Sequence, residues 1–250
     1  QKITMKLFGL VGHPLKHSFS SALFNEKFQE ENLDCRYDNF DLRELEELTT
    51  LLARHPELCG FNVTSPYKQK IIPYLNEVED IAQRIGAVNT VRVKDGHLYG
   101  YNTDIYGFEM LLEYVFSGQP IPDALILGTG GASQSVQFVL KHRQTAFKVV
   151  SRTPQGNEIG YSDLNKDIMR DYRLIINATP VGTFPNIDKY PAIPYEQLTP
   201  SHFLIDLIYN PEETAFMKLG KFHKASVYNG TIMLFSQAMK SWEIWCQESD

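Results

Sequence analysis

The chain has 250 residues, 43% of them hydrophobic and 22% charged, with a formal net charge of −6 at neutral pH. These proportions describe a globular chain long enough to bury a substantial core, as one large domain or two small ones. The acidic balance argues against nucleic-acid binding, which needs a basic face, and no apolar run approaches the ~20 residues of a membrane span. Cys35, Cys59 and Cys246 are far apart and form no CxxC pair. They read as reduced thiols, so a cytoplasmic setting is expected. The apolar run at residues 7–11 is too short for a secretory signal, and Met5 reads as the natural start after residues 1–4.

Residues 6–11 read as a first strand. The polar loop Gly12-His13-Pro14-Leu15-Lys16-His17-Ser18-Phe19-Ser20-Ser21 follows and opens a helix over residues 21–30. Ser18 and Ser20 have two readings. They cap the first turn of the helix, or they hold a small carboxylate at its N-terminus. A strand at 36–40 with a helix at 42–54, then a strand at 60–64 with a helix at 67–74, repeat the strand–helix alternation. The segment Gly60-Phe61-Asn62-Val63-Thr64-Ser65-Pro66-Tyr67-Lys68 sets polar groups at the carboxyl end of a strand, where ligands bind in open α/β sheets. Lys68 falls in the first turn of the expected helix, a place the helix dipole makes poor for a cation. It is either a solubilising surface lysine or one held there for a purpose.

Strands at 87–93 and 97–101 flank Lys94-Asp95-Gly96, a hairpin signal. Gly86-Ala87-Val88-Asn89-Thr90 leads in, and Gly100-Tyr101-Asn102-Thr103-Asp104 leads out to a helix over 105–116, with Asp104 placed as its N-cap. The turn-rich stretch 118–123 marks a domain boundary.

Beyond it, Ala124-Leu125-Ile126-Leu127 has the continuous apolar character of a buried parallel strand and opens into Gly128-Thr129-Gly130-Gly131-Ala132-Ser133. A helix over 134–142 and a strand over 146–151 complete a βαβ unit within about 30 residues, the setting in which a glycine-rich turn binds a dinucleotide pyrophosphate. The second strand ends Ser151-Arg152-Thr153. An NAD site uses an acid there for the ribose hydroxyl, whereas an arginine suits the 2′-phosphate of NADP. With Arg152 present and no acid, NADP is the expected cofactor. Strands at 174–177, 203–208 and 225–228 continue the sheet, residues 184–200 read as an extended surface excursion, and a terminal helix spans 232–247. Gln237 lies there among apolar residues and needs a polar partner, which a ligand could be. The sequence carries no metal-ligand spacing and no serine-hydrolase motif.

In this order the motifs resemble the shikimate dehydrogenase family. They are His17-Ser18-Phe19-Ser20, Asn62 to Lys68, Gly86 to Thr90, Asn102-Thr103-Asp104, Gly128 to Ala132, Ser151-Arg152-Thr153, Asn177-Ala178-Thr179-Pro180 and Gln237-Ala238. The resemblance implies two α/β domains. One is a substrate-binding domain of residues 1–118 rejoined by 229–250, and the other a Rossmann-like NADP-binding domain of residues 119–228. It also implies reversible NADPH-dependent reduction of 3-dehydroshikimate to shikimate, with Lys68 and Asp104 as the catalytic pair. Ser18, Ser20, Thr64, Asn89, Tyr209 and Gln237 match substrate-binding positions. Gly128, Thr129, Gly130, Gly131, Ala132, Ser151, Arg152, Thr153, Thr179, Leu207 and Gly230 match cofactor-binding ones. The implied partner is a small-molecule substrate, with no nucleic acid or membrane, for a monomer or homodimer. Ser151 replaces a frequent Asn, Gly156 a frequent second basic residue, Thr183 a frequent Met, and Leu207 stands where a methionine often lies. A quinate/shikimate type favouring NAD and a cofactor-sensing homologue without chemistry are the alternatives. The latter would be expected to lack Lys68 or Asp104.

Overall fold

The computed structural model describes residues 5–15 and 19–247; residues 1–4, 16–18 and 248–250, and with them Ser18, lie outside it. Contacts divide the chain into two compact units, Gln1–Thr103 with Ala238–Asp250, and Asp104–Gln237. Each holds one six-stranded sheet.

The first unit contains β1 (Lys6–Gly12), α1 (Phe19–Glu30), β2 (Cys35–Asp41), α2 (Leu48–Arg54), β3 (Leu58–Val63), β4 (Glu77–Val78), α3 (Asp80–Ile85), β5 (Thr90–Lys94) and β6 (His97–Tyr101). Its sheet runs β2-β1-β3-β5-β6-β4. β1 is parallel to both β2 and β3, and β5 and β6 form an antiparallel hairpin beside β3. The chain leaves β1 for β2 on one side and returns to β3 on the other, so the strand order reverses at β1. That reversal opens a crevice beyond the carboxyl ends of β1 and β3. One face of the sheet is covered by a cluster including Leu7, Leu48, Phe61 and Ile71. The other is covered by Phe8, Phe24, Phe28 and Tyr37 together with Ala238, Ile244 and Trp245 from the C-terminal helix.

Two expected helices come out differently. Residues 42–54 give a 3₁₀ turn at Leu45–Glu47 before α2, because Glu44 and Glu47 form a capping box that starts the turn late. Residues 67–74 give turns and a short 3₁₀ segment, Ile72–Tyr74, in place of an α-helix. Pro73 has no N–H to bond the preceding turn and its ring crowds the carbonyl four residues back. Lys68 therefore does not oppose a helix dipole, and the expected electrostatic penalty on a cation there does not arise.

The second unit contains α4 (Asp104–Phe116), β7 (Ala124–Leu127), α5 (Gly131–His142), β8 (Phe147–Ser151), β9 (Ile159–Gly160), α6 (Lys166–Asp171), β10 (Leu174–Asn177), β11 (Phe203–Asp206), α7 (Ala215–Phe222), β12 (Ser226–Tyr228) and the first half of α8 (Thr231–Cys246). Every described pairing in its sheet is parallel, in the order β12-β11-β10-β7-β8-β9. Chain order reverses between β7 and β10, which is the doubly wound Rossmann arrangement with its switch point at those two strands. β7 and β10 are buried along their whole length, as their unbroken apolar sequences predict. Helix α4 packs with this unit because Phe108, Leu111, Leu112 and Phe116 share one core with Ile126, Ile176 and Met233. The excursion 184–200 is not wholly on the surface. Ile193, Tyr195 and Leu198 are buried with Phe216 and Leu204 in the core on the opposite face.

Candidate active site

In the first unit the family's motif residues gather at the switch point. Thr64 follows β3, and its N–H donates to Val11 O at 2.9 Å on the neighbouring strand. Lys68 lies four residues on, in the turn after cis-Pro66, with its side chain partly buried. Its carbonyl accepts from Val88 N at 2.7 Å, which fixes the turn to the segment carrying Asn89. Asn89 is buried. Its Oδ1 accepts from Thr103 N at 2.7 Å and its Nδ2 donates to Thr103 Oγ1 at 3.0 Å. A backbone N–H can only donate, so this pairing fixes which end of the amide faces which way. Ser20 lies in the first turn of α1, partly buried, and hydrogen-bonds the phenol of Tyr37. Burial raises the Tyr37 phenol well above its ordinary pKa, and the Ser20 hydrogen bond works the other way.

The second unit opens at Asp104, the residue after Thr103. It is the first residue of α4 and is buried, and the positive end of the helix dipole favours a carboxylate there. Gln237, in α8, is partly buried and donates Nε2–H to Leu234 O at 2.9 Å, so a backbone carbonyl in its own helix supplies one partner. Tyr209 is partly buried just beyond β11.

The cofactor-binding positions collect around the second switch point. Gly128 has φ +106°, a conformation open to glycine, and a β-carbon on it would come within 2.9 Å of Thr179 Cγ2. Gly130 caps α5 in extended backbone, and its missing side chain leaves open space. With Gly131 and Ala132 in the first turn of a twelve-residue helix, the glycine turn and helix N–H groups fit a pyrophosphate. Ser133, at the motif's third small position, is fully buried and bonded to Gln137 at 3.2 Å. On the neighbouring strand Ser151 is buried, its Oγ accepting from Thr153 N at 3.2 Å, and this shapes the turn that carries exposed Arg152. The Arg152 charge is felt by Tyr161, whose phenol is raised by burial and lowered by that cation.

Thr179, Leu207 and Gly230 are joined through the strand ends. Leu207 N donates to Asn177 O at 3.0 Å and Gly230 N to Ile208 O at 3.0 Å. A β-carbon on Gly230 would lie 2.2 Å from Leu207 O, so close backbone approach accounts for this glycine. Beneath them is a polar network that sequence reading missed. Asn177 Oδ1 accepts from Thr179 Oγ1 at 2.6 Å, and Nδ2 donates to Asp206 Oδ1 at 3.0 Å. Asp206 also accepts from Ile208 N at 3.1 Å and from Thr214 Oγ1, the cap of α7, at 2.6 Å. Burial pushes the Asp206 carboxyl up to about 6, while these three donors pull it down. The available signal was a polar residue closing each of two apolar strands, Leu-Ile-Ile-Asn177 and Leu-Ile-Asp206.

A parallel sheet in this order, with a glycine turn and helix N-terminus at its switch point, defines a dinucleotide-binding α/β unit. Residues 10–91 match the family model described as the shikimate dehydrogenase substrate binding domain. The NADP(+) shikimate dehydrogenase of Methanococcus maripaludis is 37% identical, covering 96% of this chain and 91% of its own. The crystal structure of Thermus thermophilus shikimate 5-dehydrogenase, in complex with NADP(H) and shikimate, has a TM-score of 0.84 at 33% identity and covers 97% of this chain and 94% of its own. Quinate dehydrogenase from Corynebacterium glutamicum, in complex with NAD, has the same TM-score of 0.84 at 26% identity over 96% of this chain and 93% of its own. The chain belongs to the shikimate dehydrogenase family.

Proposed function

We propose that this chain is an NADP-dependent shikimate dehydrogenase, catalysing the reversible reduction of 3-dehydroshikimate to shikimate in chorismate and aromatic amino-acid biosynthesis. The observation that carries the reading is the parallel sheet with its switch point between β7 and β10, where the glycine turn and the start of α5 follow β7. Residues 1–118 with 229–250 are assigned to substrate binding and 119–228 to the cofactor.

Gly128, Thr129, Gly130, Gly131 and Ala132 would hold the pyrophosphate, Ser151, Arg152 and Thr153 the 2′-phosphate, and Thr179, Leu207 and Gly230 the nicotinamide end. The bound cofactor supplies or accepts the hydride. The residues of the chain handle the proton and the orientation of substrate. In the direction of ketone reduction a hydride reaches C3 and the carbonyl oxygen becomes an alkoxide. Lys68, as ammonium, hydrogen-bonds that oxygen and provides the proton, with Asp104 orienting the ammonium and accepting from a substrate hydroxyl. The pair carries the transferred proton as one unit. Ser18, Ser20, Thr64, Asn89, Tyr209 and Gln237 hold the carboxylate and the remaining hydroxyls. The three described cysteines are all free thiols, which suits the cytoplasmic setting this pathway reading assigns. Among the described residues no helix is long and apolar enough to cross a membrane.

The quinate-dehydrogenase likeness gives the competing reading, a preference for NAD and quinate. Arg152 at the end of β8, with no acid beside it, favours the first. The test is a steady-state matrix of shikimate and quinate against NADP and NAD. Highest kcat/KM for shikimate with NADP is expected. Highest kcat/KM for quinate with NAD overturns the assignment, and no turnover with cofactor still bound makes the chain a sensing homologue.

A further inference from the structure

A continuous hydrogen-bonded chain runs through the interior of the first unit and ends on two of its proposed substrate-binding side chains. From Ser20 it passes to the Tyr37 phenol, and Tyr37 Oη donates to Asn62 Oδ1 at 2.9 Å. Asn62 Nδ2 then meets Ser241 Oγ at 2.9 Å and Thr90 Oγ1 at 3.2 Å. Those two hydroxyls lie 2.8 Å apart. Thr103 Oγ1 is 3.1 Å from Thr90 Oγ1 and 3.2 Å from Ser241 Oγ, and it accepts from Asn89 Nδ2. Tyr37, Asn62, Asn89, Thr90, Thr103 and Ser241 are all buried, and among the described residues no buried side-chain polar atom lacks a partner.

Net stability alone is a weak reason for burying so many polar groups together. Replacing paired polar groups by apolar ones of the same shape is close to neutral, and leucine or valine would fill these positions. A fully satisfied buried network holds its members rigidly in place, whichever way the donors run among the Thr90, Thr103 and Ser241 hydroxyls. The two ends are Ser20, in the first turn of α1 after β1, and Asn89, after the turn that carries Lys68. The middle is closed by Ser241, brought 179 residues along the chain from Asn62 by the C-terminal helix.

Building on the shikimate dehydrogenase reading, we propose that Tyr37, Asn62, Thr90 and Ser241 are positioning residues. They act through Ser20 and Asn89 to set the hydroxyl and amide that grip the substrate, and the C-terminal helix rejoins this unit to supply Ser241. None of the four is assigned contact with substrate.

The test uses the full chain, with KM for shikimate and for NADP, kcat and melting temperature measured for Tyr37→Phe, Ser241→Ala, Thr90→Val and Thr90→Ser. Loss of one neutral hydrogen bond should raise KM for shikimate roughly 3- to 10-fold in the first three variants. KM for NADP should stay within about two-fold, since none of the network's members is assigned to the cofactor. Thr90→Ser keeps the hydroxyl and drops a methyl, so it should behave as wild type where Thr90→Val does not. Equal losses in Thr90→Ser and Thr90→Val, or KM values for both substrates rising together, overturn the proposal and leave packing as the role. Should Thr90→Val fail to fold, Tyr37→Phe, which keeps its buried ring, decides between the same outcomes. A wild-type chain that does not oxidise shikimate with NADP removes the function reading itself, and this inference with it.

Discussion

The indole of Trp245 stands where a β-carbon on Gly60 would have to go, within 2.4 Å of its ring atoms. The ring is pinned on its other sides, stacking on Phe8 at 5.0 Å between centroids and donating Nε1–H to Val91 O at 2.9 Å. Backbone of a central strand and a wedged indole meet with no room to yield, and this contact seats the end of the C-terminal helix on the first unit's sheet.

Gly60→Ala should therefore destabilise by about 1–3 kcal/mol, the usual range for overpacking a core. For a chain of this length that lowers Tm by roughly 3–10 °C. Thermal unfolding checks it, and an unchanged Tm would mean that the indole moves aside easily.

How much of this was legible beforehand depends on the range of the interaction. β7, the glycine turn and β8 are local. A continuous apolar run followed by glycines states both the burial of the strand and the conformation of the turn, and the sheet forms as read. The short elements β4, β9, α3 and α6 were not read, because pieces of two or six residues carry too little periodicity. The Lys68 turn departs from the expected helix because Pro73 interrupts it. The two polar networks are invisible for a different reason. Asn177 and Asp206 become neighbours through the β10–β11 register, and Asn62 and Ser241 through the return of α8.

Asp206 should leave a mark on stability against pH. Burial pushes its carboxyl from the ordinary 3.8 up to about 6, so the folded state holds the proton more tightly than the unfolded chain does. The fold then binds more protons between those values, and stability falls as pH rises through that window. The group's contribution is fully present below pH 3.8 and lost above about 6. That window corresponds to about 3 kcal/mol at most. Asp206→Asn removes the titration while keeping an acceptor for Asn177 and Ile208. Denaturant unfolding between pH 4 and 7 should show wild-type stability relative to Asp206→Asn declining with pH, and parallel curves would refute a raised carboxyl.

Arg152 is exposed immediately after β8, and residues 152–157 contain no acid. Charge-assisted hydrogen bonds to a phosphate are worth about 1.5–3 kcal/mol. Arg152→Ala should then lower kcat/KM with NADP roughly 10- to 100-fold. With NAD, which has no 2′-phosphate, the change should be within about two-fold. Equal losses with both cofactors would assign Arg152 another role.

A run of hydrogen bonds in the first unit leads from the Lys68 turn to Thr103, the residue before Asp104 in the chain. Lys68 O is held by Val88 N, Asn89 follows Val88 and is held by Thr103 N, and Asp104 follows Thr103. If Lys68 and Asp104 act as one catalytic unit, Lys68→Ala removes the donor to the developing alkoxide. Its kcat should fall by roughly 10²–10⁴, the range for a positioned acid or base. KM for shikimate should move much less, because the interaction is strongest in the transition state. Asp104→Asn keeps the shape and removes the charge that orients the ammonium, so its loss should also fall on kcat. Groups that work together are not additive, and the double variant should be scarcely worse than the poorer single one. The measurement is kcat for wild type, both single variants and the double variant at saturating shikimate and NADP. Losses that multiply would give the two residues independent roles, and a near-wild-type Lys68→Ala would end the mechanism.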